Sequence, residues 1–267
     1  MRTRIFSALG AVALLTLIVA LNNTAVICVA VLIAAVLINY ELFKALGFLE
    51  KKGLAIIGML TPLLVLPYKL LGTMGFCAVL YIYVILLCTL MVLDHKRVSF
   101  SDIAKVITIA VVVTTFLYHI VLIREMDKGA ALMWAVFVGA CVSDTGAYFT
   151  GTFFGKHKLI PEISPKKTVE GAIGAVIFNV VAFLIYGVII NKLLDTSVNM
   201  YLLAVLGVFC SFVAQMGDLT ASAIKRECEI KDFGAVLPGH GGVLDRFDSI
   251  MFVAPLVYYF VNLFPIF

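Results

Sequence analysis

The sequence predicts an all-α, polytopic integral membrane protein: a bundle of about nine transmembrane helices with its N-terminus in the cytoplasm. Three observations carry this. The 267-residue chain is 63% hydrophobic and only 13% charged, with a mean hydropathy of +1.12; soluble domains carry about 25% charged residues. Several apolar runs reach the ~18–20 residues that cross a bilayer core, where a helix satisfies its own backbone. The alternating ~10-residue segments of a membrane β-barrel are missing. Finally, the basic residues segregate. With nine spans, sixteen of the twenty Lys and Arg fall on alternate loops of one side, leaving only Lys69, Arg124, Lys128 and Lys192 on the other. The positive-inside rule assigns the basic side to the cytoplasm.

The elements follow in order. Helix 1 is expected over residues 5–21. No small-residue cleavage site follows it, so it reads as retained rather than as a signal peptide. Asn22-Asn23-Thr24 is a tight uncharged turn before helix 2, over 25–43. Lys44, Glu50, Lys51 and Lys52 mark a loop. Helix 3 covers 54–71, with Pro62 and Pro67 as candidate kinks, and helix 4 covers 74–93. A polar loop over 94–102 ends at Ser101, a candidate cap for helix 5 over 103–123. Arg124, Glu125, Asp127 and Lys128 form a charged turn. Helix 6 spans 130–154, helix 7 168–190, helix 8 200–225 and helix 9 247–264. The whole reads as a single membrane domain over 1–267. Helices 1–5 fall in 1–128. Helices 6–9, the expected catalytic part, fall in 129–267 with loops over 155–167 and 226–246. The six cysteines form no CxxC pair and read as small apolar residues.

One stretch stands against this apolar background. Residues 222–249 read SAIKRECEIKDFGAVLPGHGGVLDRFDS, with ten charged or histidine side chains around Pro238-Gly239-His240-Gly241-Gly242. Asp144, Asp218 and Asp245 lie within or at the ends of apolar helices. An aspartate there costs a few kcal/mol and needs a partner or an aqueous cavity. The structural alternative is an interhelical polar clamp. Asp218 and Asp245 sit at the loop-side ends of consecutive helices and are expected to converge. Paired carboxylates suit Mg²⁺, which is held by one or two of them plus substrate phosphates; Asp144 is a third candidate ligand. Lys225, Arg226, Lys231 and Arg246, with Lys166 and Lys167 of the earlier loop, supply charge for phosphates. Gly241 and Gly242 let backbone N–H groups approach an anion. His240 can serve as phosphate donor, metal ligand or general base. Thr168 and Glu170 mark a helix start, whose dipole favours an anion. Lys166 and Lys167 have a plainer reading as headgroup anchors. No Walker P-loop is present. The stretch therefore reads as a metal-nucleotide site, and no nucleic acid is expected as a partner.

The run Ser222-x-Ile224-Lys225-Arg226, then Lys231-Asp232, then Leu237-Pro238-x-His240-Gly241-Gly242-x-x-Asp245-Arg246-x-Asp248 resembles the signature of the phosphatidate cytidylyltransferases (CDP-diacylglycerol synthases). Residues 144–171, containing SPKKTVEG from Ser164, are similar to that family too. The resemblance is close over the C-terminal half; the N-terminal half is similar in hydropathy and helix number. It implies transfer of a cytidylyl group from CTP to phosphatidate in the membrane, giving CDP-diacylglycerol and pyrophosphate. It also implies Mg²⁺ dependence and a homodimer; the basic loops put the expected active site at the cytoplasmic face of the cell membrane. Asp218, Asp245, Lys225 and Arg246 are then the catalytic candidates. Ser164, Lys166, Lys167, Ser222, Arg226, Lys231, His240, Gly241 and Gly242 are the substrate-binding candidates. Two rivals compete: a CTP-dependent membrane kinase acting on a polyprenol- or phytol-like alcohol, and an ion-coupled transporter using the three aspartates as a relay. The second predicts two similar halves with broken helices at the midplane; no internal repeat is visible.

Overall fold

Asn23 opens the first described helix, its side-chain oxygen accepting the Ala25 amide at 2.9 Å. The computed structural model describes residues 23–234 and 241–267, with Thr16, Val19 and Leu21 before them; the side chains of 65–71 are not described. The expected helix 1 and His240 lie outside the described residues. Eight helices follow: α1 Thr24–Ala45, α2 Lys52–Met59, α3 Leu66–Leu93, α4 Phe100–Glu125, α5 Gly129–Phe154, α6 Val169–Leu194, α7 Met200–Glu227 and α8 Leu244–Leu263. Among the described residues six stretches, α1, Gly72–Leu93 of α3, and α4 to α7, are long and apolar enough to cross a membrane. The protein is a polytopic helical membrane protein.

Among the described residues the expectation of nine spans is corrected in two places: neither the expected helix 3 nor the expected helix 9, here α8, is one of the six, and helix 3 is broken up. Its residues form the short α2, a 3₁₀ turn over Thr61–Val65 and the start of α3. Pro62 supplies no N–H to continue α2, and the Thr61 hydroxyl takes the Gly58 carbonyl instead. Gly72 then breaks α3 at φ 66° and ψ −163°, a conformation that favours glycine. Helix 9 begins three residues before its expected start, at Leu244, which brings Asp245 into the first turn of α8.

Ser99, not Ser101, caps α4. Its side chain accepts the Asp102 amide while Asp102 accepts the Ser99 amide at 2.8 Å, a reciprocal box that Ser101 has no partner to form. Inside α4 a π turn spans Ala110–Thr115. The loop over 155–167 is also more ordered than expected. It holds an antiparallel hairpin of β1 Lys158–Ile160 and β2 Ser164–Thr168, with Lys158 opposite Thr168 and Ile160 opposite Ser164.

The described chain forms two compact units. One comprises the described residues within 1–118 and 232–244; the other comprises His119–Lys231 and Asp245–Phe267. In the first, Ile38, Phe43, Leu54, Leu87 and Val106 are buried, and Lys51 pairs with Asp102 at 2.6 Å. In the second, α5 and α6 run side by side through small residues, as membrane helices do when packing rather than water drives them together. A Cβ on Gly146 would lie 2.8 Å from the Phe178 Cβ, and one on Gly174 would overlap Thr150 at 2.1 Å. Asn179 Nδ2 donates to the Gly139 carbonyl at 2.9 Å, and the Tyr186 hydroxyl to the Ala131 carbonyl. α7 closes on the pair through the buried Ser143 and Ser211 hydroxyls, 3.1 Å apart. α8 meets α7 where Gly217 leaves room for the Asp248 carbonyl and Ser249 Oγ donates to the Ala214 carbonyl at 3.2 Å.

Candidate active site

In the second unit, α7 sets the spacing of the polar groups. Asp218, Ser222 and Lys225 succeed one another at intervals of four and three residues, so they share one helix face. Ser222 Oγ donates to Asp218 Oδ1 at 3.4 Å. Lys225 Nζ pairs with Asp245 Oδ1 at 2.8 Å, with side-chain exposures of 15% and 6%. Asp245 lies in the first turn of α8, where the helix dipole favours a negative charge. Its partner on α7 matches that charge within a largely buried pair.

The hairpin brings the second pair. β2 alternates its side chains across the strand, and Lys167 Nζ reaches Asp218 Oδ2 at 2.7 Å. The hairpin is anchored at three points. Thr168 caps α6 by accepting the Gly171 amide at 3.1 Å. Glu170, in the first turn of α6, accepts the backbone amides of Lys156 and His157 and pairs with His157 Nδ1 at 2.6 Å. Arg226 Nε donates to the Ile163 carbonyl at 3.1 Å, tying the end of α7 to the hairpin turn.

A cavity of about 410 Å³ opens beside these groups, within the size range of small-molecule sites. Asp144, Lys158, Lys166, Lys167, Gln215 and Asp218 contribute its charged and polar wall. Asp144 is within electrostatic reach of Asp218, Lys167 and Arg246, and Ser249 Oγ donates to its Oδ1 at 3.4 Å. Asp248 is within reach of Asp218, Asp144 and Lys225. Carboxylates from three helices thus share one electrostatic neighbourhood with Lys167 and Lys225.

Of the residues singled out in the sequence, Asp144, Lys166, Lys167 and Asp218 line the cavity. Ser222, Lys225 and Asp245 lie along α7 and the start of α8, outside the cavity's lining among the described residues. Arg226 is engaged with the hairpin backbone, and Lys231 is exposed at the end of this unit. Ser164 is half-buried at the start of β2. Gly241 and Gly242 belong to the other unit, where Gly241 adopts φ 82°. Two polar groups, Gln215 and Glu41, are not among the residues singled out from the sequence, and Asp248 is read there only as part of the signature, with no role of its own. Asp248 is 8% exposed, Gln215 faces the cavity, and Glu41 is 2% exposed within α1. The signal for Glu41 was available: it is a carboxylate in an apolar run, the criterion that selected Asp144.

The donor set fits a divalent cation only in company with substrate. Among the described residues no three His, Cys, Asp or Glu side chains gather to hold a metal unaided. The carboxylates present are hard oxygen donors, and Asp218 and Asp245 already each meet a cation, the ammonium of Lys167 or Lys225. Mg²⁺ is commonly bound by one or two carboxylates, with phosphate oxygens and water completing its shell.

The family model for the cytidylyltransferase family matches residues 2–264. The chain belongs to the cytidylyltransferase family. Among curated relatives, it is 37% identical over 182 residues to a phosphatidate cytidylyltransferase of Bacillus subtilis, covering 68% of this chain and 66% of that protein. It is 41% identical over 167 residues to a phosphatidate cytidylyltransferase of Staphylococcus saprophyticus, covering 62% of each chain. A relative of the same name in Staphylococcus aureus is 40% identical over the same length. The matched stretch spans a little under two thirds of the length of these relatives.

Proposed function

We propose that this protein transfers the cytidylyl group of CTP to phosphatidate, forming CDP-diacylglycerol and pyrophosphate for phospholipid synthesis. The observation that carries the reading is the cavity wall. Lys167 lies on Asp218 there, with Lys158, Lys166 and Asp144 beside them. Such a wall can take both a polyphosphate and its counter-cation. Family membership and the names of the relatives support the choice of CTP and phosphatidate. The basic loops favour a cytoplasmic face of the cell membrane, and the family resemblance supports a homodimer.

In this reaction a phosphate oxygen of phosphatidate attacks the α-phosphorus of CTP. The new P–O bond forms as the bond to the β-phosphate oxygen breaks, and pyrophosphate leaves with the electron pair. The nucleophile is already anionic, so no strong base is required. The difficulty is to bring two polyanions together. Lys166 and Lys167 receive phosphate oxygens at the cavity, while Lys225 and Arg246 offset the charge of the transferring group. The hairpin anchors hold Lys167 in place, so orientation is set before substrate arrives. Asp218 and Asp245, with Asp144 nearby, would hold Mg²⁺, which neutralises charge on the α-phosphate and the leaving group.

The test is turnover by the purified protein in detergent with CTP, phosphatidate and Mg²⁺. CDP-diacylglycerol that disappears on adding EDTA is the expected result. A phosphorylated isoprenoid alcohol and CDP, with no product from phosphatidate, would replace the reading with the lipid kinase.

Lys167→Ala is expected to raise half-saturating CTP about 10–100-fold, the value of one charge-assisted hydrogen bond to phosphate. Unchanged CTP dependence would return Lys167 to the role of headgroup anchor.

A further inference from the structure

In the first unit, Gly234 and the backbone of Gly242–Leu244 close on one buried carboxylate. Glu41 Oε1 accepts the Val243 amide at 2.8 Å and Oε2 accepts the Leu244 amide at 2.9 Å. A Cβ on Gly242 would stand 2.6 Å from Oε2, and one on Gly234 would stand 2.6 Å from Oε1. Glycine at both positions is therefore what lets the two stretches of backbone reach the same side chain. Glu41 is 2% exposed. An ionised carboxylate only accepts hydrogen bonds, and two amide donors aligned on its two oxygens form a strong bidentate contact. Leu244 is followed directly by Asp245.

We infer that Glu41 is a positioning residue for the transfer reaction: its carboxylate fixes the backbone of Gly242–Leu244, the residues bonded directly ahead of Asp245 at the start of α8. The inference rests on the role assigned to Asp245 above. Glu41 acts through the two amides it accepts. This gives a 200-residue separation in sequence a function that hydrophobic packing alone does not require. A carboxamide at position 41 would keep one acceptor but turn an N–H₂ donor toward the second amide.

The experiment uses the full chain in detergent. Backbone hydrogen exchange at Val243 and Leu244 is compared between the wild type and Glu41→Gln, alongside kcat, KM for phosphatidate and the Mg²⁺ concentration for half-maximal rate. Expected are faster exchange at both amides, kcat lower by about 10–100-fold as for other groups that orient a ligand, a raised Mg²⁺ requirement and an unchanged KM for phosphatidate. A purely structural role would lower the yield of folded protein and leave the Mg²⁺ requirement of the folded fraction unmoved. Gly242→Ala, which pushes a methyl group against the same carboxylate, should reproduce the kinetic change. The double variant should be no worse than the more impaired single variant. If Glu41→Gln does not fold, Gly242→Ala carries the test. Unchanged exchange, or faster exchange with wild-type kinetics, would overturn the inference. Full activity in Asp245→Asn would instead overturn the role of Asp245, while exchange would still report on the Glu41 contact.

Discussion

Asp218→Asn is expected to lower CDP-diacylglycerol formation by at least about 10³-fold while leaving the protein inserted and folded. The substitution keeps the shape of the side chain and removes its charge. Asp218 is the group on which the site converges: Lys167 meets Oδ2, Ser222 meets Oδ1, and Asp144 and Asp248 lie within electrostatic reach. Loss of one transition-state contact costs about 10²–10³-fold in other enzymes. Here the lost charge serves both the cation and the placement of Lys167, so the upper end is the minimum expected. The carboxylate is 31% exposed, so the fold should tolerate the change. Steady-state turnover with thermal unfolding in detergent separates the two effects. Activity within tenfold of wild type would remove Asp218 from the reaction.

Lys225→Met should be costly in a different way. Lys225 and Asp245 form the more buried pair, and removing the lysine leaves the 6%-exposed aspartate without its ammonium. Breaking a buried pair on one side costs about 3–5 kcal/mol, so a marked fall in the unfolding temperature is expected together with loss of turnover. Lys225→Met combined with Asp245→Leu removes both charges and should recover most of the stability while remaining inactive. Recovery of activity in the double variant would show that the pair is structural. Low stability that persists in the double variant would show that the cost lies in packing rather than in the stranded charge.

Much of this was legible in the sequence because the bilayer simplifies the reading. A charge in an apolar run is expensive, so each one is a signal. That criterion found Asp144 and Asp218; the 218, 222, 225 spacing that puts Asp218, Ser222 and Lys225 on one face of α7 was equally present in the sequence but was not used. Thr168 was recognisable as a helix cap because Glu170 and Gly171 follow it, and the cap was found. Other features depend on contacts that sequence spacing does not encode. Helix 3 had the hydropathy of a span, yet the 3₁₀ turn around Pro62 divides it. The hairpin over 158–168 was hidden by its charge, which reads as a solvated loop until Arg226 and Glu170 are seen to hold it. Ser101 and Ser99 are equivalent as isolated caps; Asp102, three residues after Ser99, decides between them. Glu41 met the criterion that selected Asp144, but its partners, backbone amides some 200 residues away, are not encoded in sequence spacing.

The central claim is that the bond broken in CTP lies between the α- and β-phosphates, and one measurement addresses it directly. CTP labelled with ³²P at the α position and, separately, at the γ position is given to the purified protein with Mg²⁺, phosphatidate and an isoprenoid alcohol. The account predicts that the α label moves into the lipid and the γ label leaves as pyrophosphate, in equal amounts. Transfer of the γ label to lipid, with the α label remaining in CDP, would contradict it.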